Sequence, residues 1–238
     1  MLMDGMAKNG DVRIEFRSNT TWDGARRGAV LFVPGVLGNA DSFRDELLDI
    51  APTPGISISL RGRGRSDVPR HEYAFTDQVN DLQAVFDSVP MSPVVVVGYS
   101  VGVPIALEFA VRNRSDVGGV MVIDYPARYP VLSEAWVERA LASESGKGRE
   151  AAIRGLREAS KETLLWARIR ELTCPVLIIR GEPSCGGLLK DEDLARYLDA
   201  LPHTQIVAFA ASGHDIWNPD KDRYLTTMRE FVRGVLSK

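Results

Sequence analysis

The chain alternates between short runs with no polar face and longer stretches in which apolar residues recur every three or four places. Residues 29–34 (AVLFVP), 56–60 (ISISL), 94–97 (VVVV), 117–124 (VGGVMVID), 175–180 (PVLIIR) and 205–210 (QIVAFA) have the first character. Runs this short and this apolar predict strands, several of them buried on both faces. Between them Phe43, Leu47 and Ile50 stand at i, i+4, i+7, and Val79, Leu82, Phe86 and Val89 at i, i+3, i+7, i+10. Leu194, Leu198 and Leu201 repeat the helical spacing, as do Leu225, Met228, Val232 and Val235 near the end. Alternation of strand and amphipathic helix predicts a mostly parallel, doubly wound α/β sheet.

Two intervals depart from this rhythm. Ahead of residue 29 only 12–17 (VRIEFR) reads as a clear strand, which predicts a shortened start to the sheet. Residues 125–172 hold no convincing strand, only helix-like pieces at 133–143, 150–159 and 163–172 separated by polar breaks such as ESGKGR. This predicts a core of residues 1–124 and 173–238 and a helical insertion at 125–172. Ligands of open α/β sheets bind outside the carboxyl ends of the strands, so an insertion there is placed to act as a lid.

Composition narrows the possibilities. With 45% apolar and 26% charged residues the chain can bury an ordinary core, and 238 residues suit one α/β domain. A net charge of -3 supplies no basic footprint for nucleic acid. No basic leader with an apolar segment opens the sequence and no run of about 18 apolar residues occurs, so a soluble, cytoplasmic protein without membrane contact is expected. Cys174 and Cys185 are expected as free thiols.

The chemistry concentrates at PVVVVGYSVGVP, residues 93–104. A strand that stops on Gly98-Tyr99-Ser100-Val101-Gly102 and continues into an amphipathic helix predicts a strained turn that lifts Ser100 clear of the sheet edge. The helix that follows points its positive end at the serine, and Pro104 falls in the first turn, where its missing amide hydrogen costs nothing. A serine hydroxyl needs a base to become a nucleophile. Of the three histidines, His71 and His203 lie in polar loops or turns, whereas His214 follows the last strand at the same sheet edge as Ser100.

These motifs resemble the α/β-hydrolase fold superfamily. The resemblance runs from about residue 29 to the end and rests on VPGVLGNADSF, SLRGRGRSD, FTDQVNDLQAVFD, VVVVGYSVG, CPVLIIRGE and SGHDIWNPD, in that order. It implies an eight-stranded, mostly parallel sheet. It also implies an oxyanion hole made by the backbone amides of Val36, in the loop PGVLG, and of Val101 after the nucleophile.

The sequence leaves the third member of a triad open. Relatives usually carry an aspartate in a Gly-x-x-Asp pattern after the strand corresponding to VLIIRG, but here the pattern reads Gly181-Glu182-Pro183-Ser184. Asp124, which ends VMVID, matches the stretch that supplies the acid in some esterases and lipases of this fold. Glu182, Asp191 and a site with no carboxylate are the alternatives, and a turn-capping role for Asp124 before Pro126 is the structural one.

Arg61, Arg63 and Arg65 form a basic cluster that could meet an anionic substrate, though the motif is a common structural turn in the family. Trp136, Trp166 and Trp217 could line an acyl pocket or simply pack. Nothing has zinc-ligand spacing or a phosphate-loop pattern, so no metal or cofactor is expected. The expectation is a serine hydrolase cleaving an ester or thioester of a small to medium apolar acyl group, with a small-molecule substrate, no nucleic-acid or membrane partner, and an oligomeric state that the sequence leaves open. A cofactor-free lyase, synthase or cyclase on the same scaffold is the alternative, and a ligand-binding protein with little turnover is a third.

Overall fold

The computed structural model describes residues 2–24 and 26–237. It opens with a hairpin in which β1 (Met3–Asn9) pairs antiparallel with β2 (Val12–Ser18). The sequence suggested only the second of these strands. Along β1 only Ala7 is buried, so the strand lacks an apolar pattern and is held by its pairing with β2.

The chain then runs through β3 (Arg27–Val33), α1 (Arg44–Asp49), β4 (Gly55–Ile58), α2 (Phe75–Ser88), β5 (Met91–Tyr99), α3 (Gly102–Arg112) and β6 (Val117–Ile123). An inserted segment holds β7 (Arg128–Tyr129), α4 (Glu134–Ala142), α5 (Glu150–Ala159) and β8 (Thr163–Leu164). The core resumes with β9 (Val176–Gly181), α6 (Asp191–Ala200), β10 (Gln205–Phe209) and α7 (Lys221–Leu236). Eight strands form one sheet in the order β1-β2-β4-β3-β5-β6-β9-β10, parallel from β4 to β10.

The valine run explains itself in this setting. Val94 and Val96 enter the core layer that contains Leu82 of α2 and Phe109 of α3, whereas Val95 and Val97 enter the opposite layer with Leu47 of α1 and Met228 of α7. Successive side chains of a strand point to opposite faces, so a central strand covered on both sides has no place for a polar residue. Burying each such side chain stabilises the fold by about 1.5–3 kcal/mol.

The third helical piece expected in the insertion, 163–172, is not one helix. Thr163 and Leu164 pair with Tyr129 and Arg128 as a short antiparallel ladder, and only a 3-10 turn at Ile169–Glu171 follows. The apolar spacing there serves burial of Leu165, Ile169 and Leu172 without a continuous helix. Cys174 and Cys185 are free thiols. No helix among the described residues is long and apolar enough to cross a membrane.

Topology sets the site. From β3 the chain goes to β4 on one side and then returns to β5 on the other, so the loops leaving β3 and β5 diverge at a switch point. A crevice opens there at the carboxyl ends of the strands.

Candidate active site

Ser100 sits on the turn between β5 and α3 with φ +54°, a left-handed conformation uncommon for a residue with a side chain. Its amide donates to the Ile123 carbonyl at 3.2 Å, and its carbonyl accepts from the Val103 amide at 2.9 Å. The turn is so tight that a Cβ at position 102 would lie 2.3 Å from the Val33 carbonyl oxygen and 2.5 Å from that of Pro34. Both neighbours are backbone and cannot move aside. Gly102→Ala is therefore expected to destabilise the protein by about 2 kcal/mol or more, read as a lower urea midpoint, because α3 must back away from β3.

The loop after β3 lies against the serine. A Cβ at Gly35 would stand 3.2 Å from the Ser100 Cβ and 3.7 Å from its Oγ. The loop turns through a bond from the Gly38 amide to the Gly35 carbonyl, 2.9 Å, and Arg149 of the inserted segment donates to the Leu37 carbonyl at 3.0 Å. Among the described residues neither the Val36 nor the Val101 amide has a backbone acceptor.

Asp124 ends β6 with φ +47° and is wholly buried. Its own amide donates to the Ile179 carbonyl of β9 at 2.8 Å. Its Oδ1 accepts from the amides of Gly181 at 3.0 Å and Leu189 at 3.3 Å, while Oδ2 accepts from the amide of Leu188 at 2.8 Å. Oδ2 also lies 2.9 Å from His214 Nδ1. A carboxylate with four donors is well satisfied in a buried place, where an unpaired charge would be costly. Backbone amides from the end of β9 and the loop after it thus hold an acid at the end of β6.

The alternatives are placed elsewhere. Glu182 turns back on its own loop and accepts from the Ser184 amide and hydroxyl at 3.2 and 3.1 Å. Asp191 pairs with Arg180 and is largely exposed. Ser184 is an exposed residue of a 3-10 turn.

His214 is held from three sides. Its loop packs backbone to backbone against the loop after β9: the Glu182 amide donates to the Ser212 carbonyl at 2.7 Å, and a Cβ at Gly213 would lie 2.1 Å from the Cys185 carbonyl oxygen. Asp124 takes Nδ1, and the ring stacks on Tyr99 at 4.8 Å between centroids and 22° between planes. With Nδ1 donating to the carboxylate, Nε2 is left as the basic nitrogen. The Tyr99 hydroxyl bonds Asp215 at 3.2 Å and its ring contacts Trp217 at 5.1 Å. Burial, reinforced by the Asp215 carboxylate, pushes the Tyr99 phenol well above its ordinary pKa, so it remains a neutral donor.

Ser100 and His214 line one cavity of about 410 Å³, together with Val36, Ser145, Tyr99 and Trp217. Of the three tryptophans singled out from the sequence, only Trp217 lines it. Trp136 packs near Val36 in a cluster under the inserted segment, and Trp166 packs edge-on to Tyr197 at 5.1 Å. His71 and His203 are exposed and away from this cavity. Tyr99 and Arg149 were not anticipated. An aromatic residue immediately before the serine was a visible signal for the first; the second depends on how the insertion folds back. Among the described residues no group of three or more His, Cys, Asp or Glu is arranged to hold a metal.

Known proteins share this architecture. A 2-(acetamidomethylene)succinate hydrolase from Mesorhizobium japonicum is 22% identical over 85% of this chain and 87% of its own. A Bacillus subtilis protein provisionally named 2-succinyl-6-hydroxy-2,4-cyclohexadiene-1-carboxylate synthase is 25% identical, with 87% of this chain and 91% of that protein aligned. Among solved structures, an esterase from a Rhodococcus species superposes with a TM-score of 0.79 at 18% identity, covering 98% of this chain and 99% of that one. The family model described as the alpha/beta hydrolase fold matches residues 28–157, more than half of the sequence, and the chain belongs to that family.

Proposed function

We propose that the chain is a serine hydrolase that cleaves an ester or thioester of a small to medium apolar acyl group. The observation that carries this reading is the 2.9 Å bond between His214 Nδ1 and Asp124 Oδ2 beside a cavity that His214 shares with Ser100. Ser100 Oγ attacks the carbonyl carbon and passes its proton to His214 Nε2. The carbonyl oxygen takes the electron pair and is stabilised by the amides of Val36 and Val101. His214 then protonates the leaving group, and water, activated by the same imidazole, releases the acid from Ser100. Asp124 orients the imidazole and stabilises its cation.

The size of the cavity and the apolar side chains of Val36, Leu37, Phe43 and Trp217 along it suit a short or medium acyl chain. Residues 125–172 act as a lid over the core of 1–124 and 173–238. Ser145 on the cavity wall and the bond from Arg149 to the Leu37 carbonyl support that role.

The relative named as a synthase favours a second reading, a cofactor-free lyase or synthase in which the Ser100–His214 pair only moves a proton. A panel of p-nitrophenyl esters and thioesters of increasing acyl length separates the two. Hydrolysis predicts turnover that peaks at short to medium chains, with an acyl adduct on the Ser100 peptide in the mass spectrum. No adduct and no ester turnover, with proton abstraction from a carbon acid instead, would favour the second reading.

A further inference from the structure

The three arginines of LRGRGRSD occupy three different environments. Arg65 is half exposed and pairs with Asp4 at 2.6 Å and Glu15 at 2.7 Å. Arg61 is buried and forks onto the Asp81 carboxylate, with Nη2 to Oδ1 at 2.7 Å and Nε to Oδ2 at 2.9 Å. Arg63 is 1% exposed, and its donors reach neutral acceptors: Nε to the Val36 carbonyl at 2.9 Å, Nη1 to the Arg61 carbonyl at 2.8 Å and Nη2 to Gln78 Oε1 at 2.8 Å. Among the described residues no carboxylate bonds it.

Buried charge without a counter-charge is expensive. The cost shows in the guanidinium, which burial pushes down to about 10, still protonated near neutrality. Its charged surroundings offset this only in part, through the Asp81 carboxylate. Asp81 already serves Arg61, Arg149 adds positive charge, and Tyr73 and Tyr129 are neutral phenols raised by burial. The one carboxylate whose charge reaches Arg63 is thus already bonded to Arg61. Arg63 and Arg149, which have no carboxylate partner among the described residues, bond consecutive carbonyls, those of Val36 and Leu37, in the loop that faces Ser100.

We propose that Arg63 is a positioning residue for the oxyanion hole: by bonding the Val36 carbonyl it holds the loop after β3 in the shape that presents the Val36 amide to the cavity, and its charge favours the oxyanion that forms there. This deepens the serine-hydrolase reading and rests on it. In the attacking step the Ser100 Oγ–carbon bond forms, the C=O π pair moves onto oxygen and the proton goes to His214 Nε2. A negative charge then arrives at the loop whose Val36 carbonyl Arg63 bonds, and a buried guanidinium with only neutral acceptors interacts favourably with it.

The test compares wild type, Arg63→Met and Arg63→Lys on an ester that the wild type hydrolyses. It also measures inhibition by a simple boronic acid, which forms a tetrahedral anion on the serine. Losing one oxyanion donor costs about 10²–10³-fold in kcat; acting at one remove, Arg63→Met is expected to lower kcat and boronate affinity by about 10–100-fold, with KM within about threefold. If Arg63→Met does not fold, Arg63→Lys decides, because it keeps the charge but loses the planar fork. A loss of about tenfold in boronate affinity is then expected, with Tm close to wild type. Wild-type kcat and boronate affinity in whichever variant folds would overturn the proposal, as would equal losses in KM and boronate binding. Fluorophosphonate labelling of wild-type Ser100 separates the two levels: if it is absent, the hydrolase reading has failed, and if it is present while the variants behave as wild type, only the role of Arg63 has.

Discussion

Replacing Ser100 with alanine is expected to lower ester turnover by about 10⁶-fold and to abolish labelling by a fluorophosphonate, with little change in thermal stability. Three serines line the cavity: Ser100, Ser42, whose hydroxyl accepts from the Asn39 amide, and Ser145 of the segment between β6 and β9. Only Ser100 stands on the strained turn at the head of α3, beside the two amides without backbone acceptors. Alanine tolerates the positive φ about as poorly as serine, so the substitution removes the hydroxyl without a new backbone cost. Ser145→Ala is the matched control and is expected to retain activity within a few-fold, since its side chain belongs to an exposed turn of the insertion. Labelling that persisted in Ser100→Ala and vanished in Ser145→Ala would reverse the assignment.

Asp124→Asn is expected to have two separable effects. The first is on turnover: a neutral amide beside Nδ1 no longer stabilises the imidazolium and favours the wrong tautomer, a loss that reaches about 10⁴-fold in triads of this kind. The second is on folding. Asn offers one acceptor oxygen where the carboxylate offers two, so its NH2 group faces either the Gly181 and Leu189 amides or the Leu188 amide and His214. Each buried donor left without an acceptor costs about 1–3 kcal/mol, so a drop of about 3 kcal/mol or more in denaturant unfolding is expected. Glu182→Gln and Asp191→Asn touch only local contacts and are expected to leave kcat within about twofold. If Asp124→Asn were less stable but turned over normally, the carboxylate would be structural and not part of the reaction.

The contrast between Ser100 and Asp124 shows what the sequence could reveal. The serine's setting is local: a strand covered on both faces writes itself as VVVV, and a strand-to-helix turn writes itself as glycine around one residue. His214 was legible because it is one of three histidines and the one at the end of the last strand. Asp124 was ambiguous because what makes it fit is distant in sequence. Its donors at Gly181, Leu188 and Leu189 arrive only through the parallel pairing of β6 with β9. The missing first strand has a similar cause, since Met3–Asn9 buries one side chain and its partner supplies the rest. The pieces at 163–172 misled in the opposite sense: helical spacing was present, but Thr163 and Leu164 found a ladder partner 34–36 positions earlier in Arg128 and Tyr129. The arginines were seen as a cluster, yet nothing in their spacing distinguishes the one paired with Asp81 from the one turned toward Val36.

The way Asp124 is held also bears on how this region can drift over generations. The end of β9 and the loop after it give Asp124 backbone amides and no side chain, so the identities of Pro183, Ser184 and Cys185 do not enter the hold on the carboxylate. Its length is not free, because Gly181, Leu188 and Leu189 must arrive together on one carboxylate while Cys185 backs against Gly213. A new side chain at 183–185 would leave those amides in place, whereas an added or removed residue would pull them off the carboxylate; Gly181 and Gly187 are bound by both rules, because a Cβ at either would strike backbone.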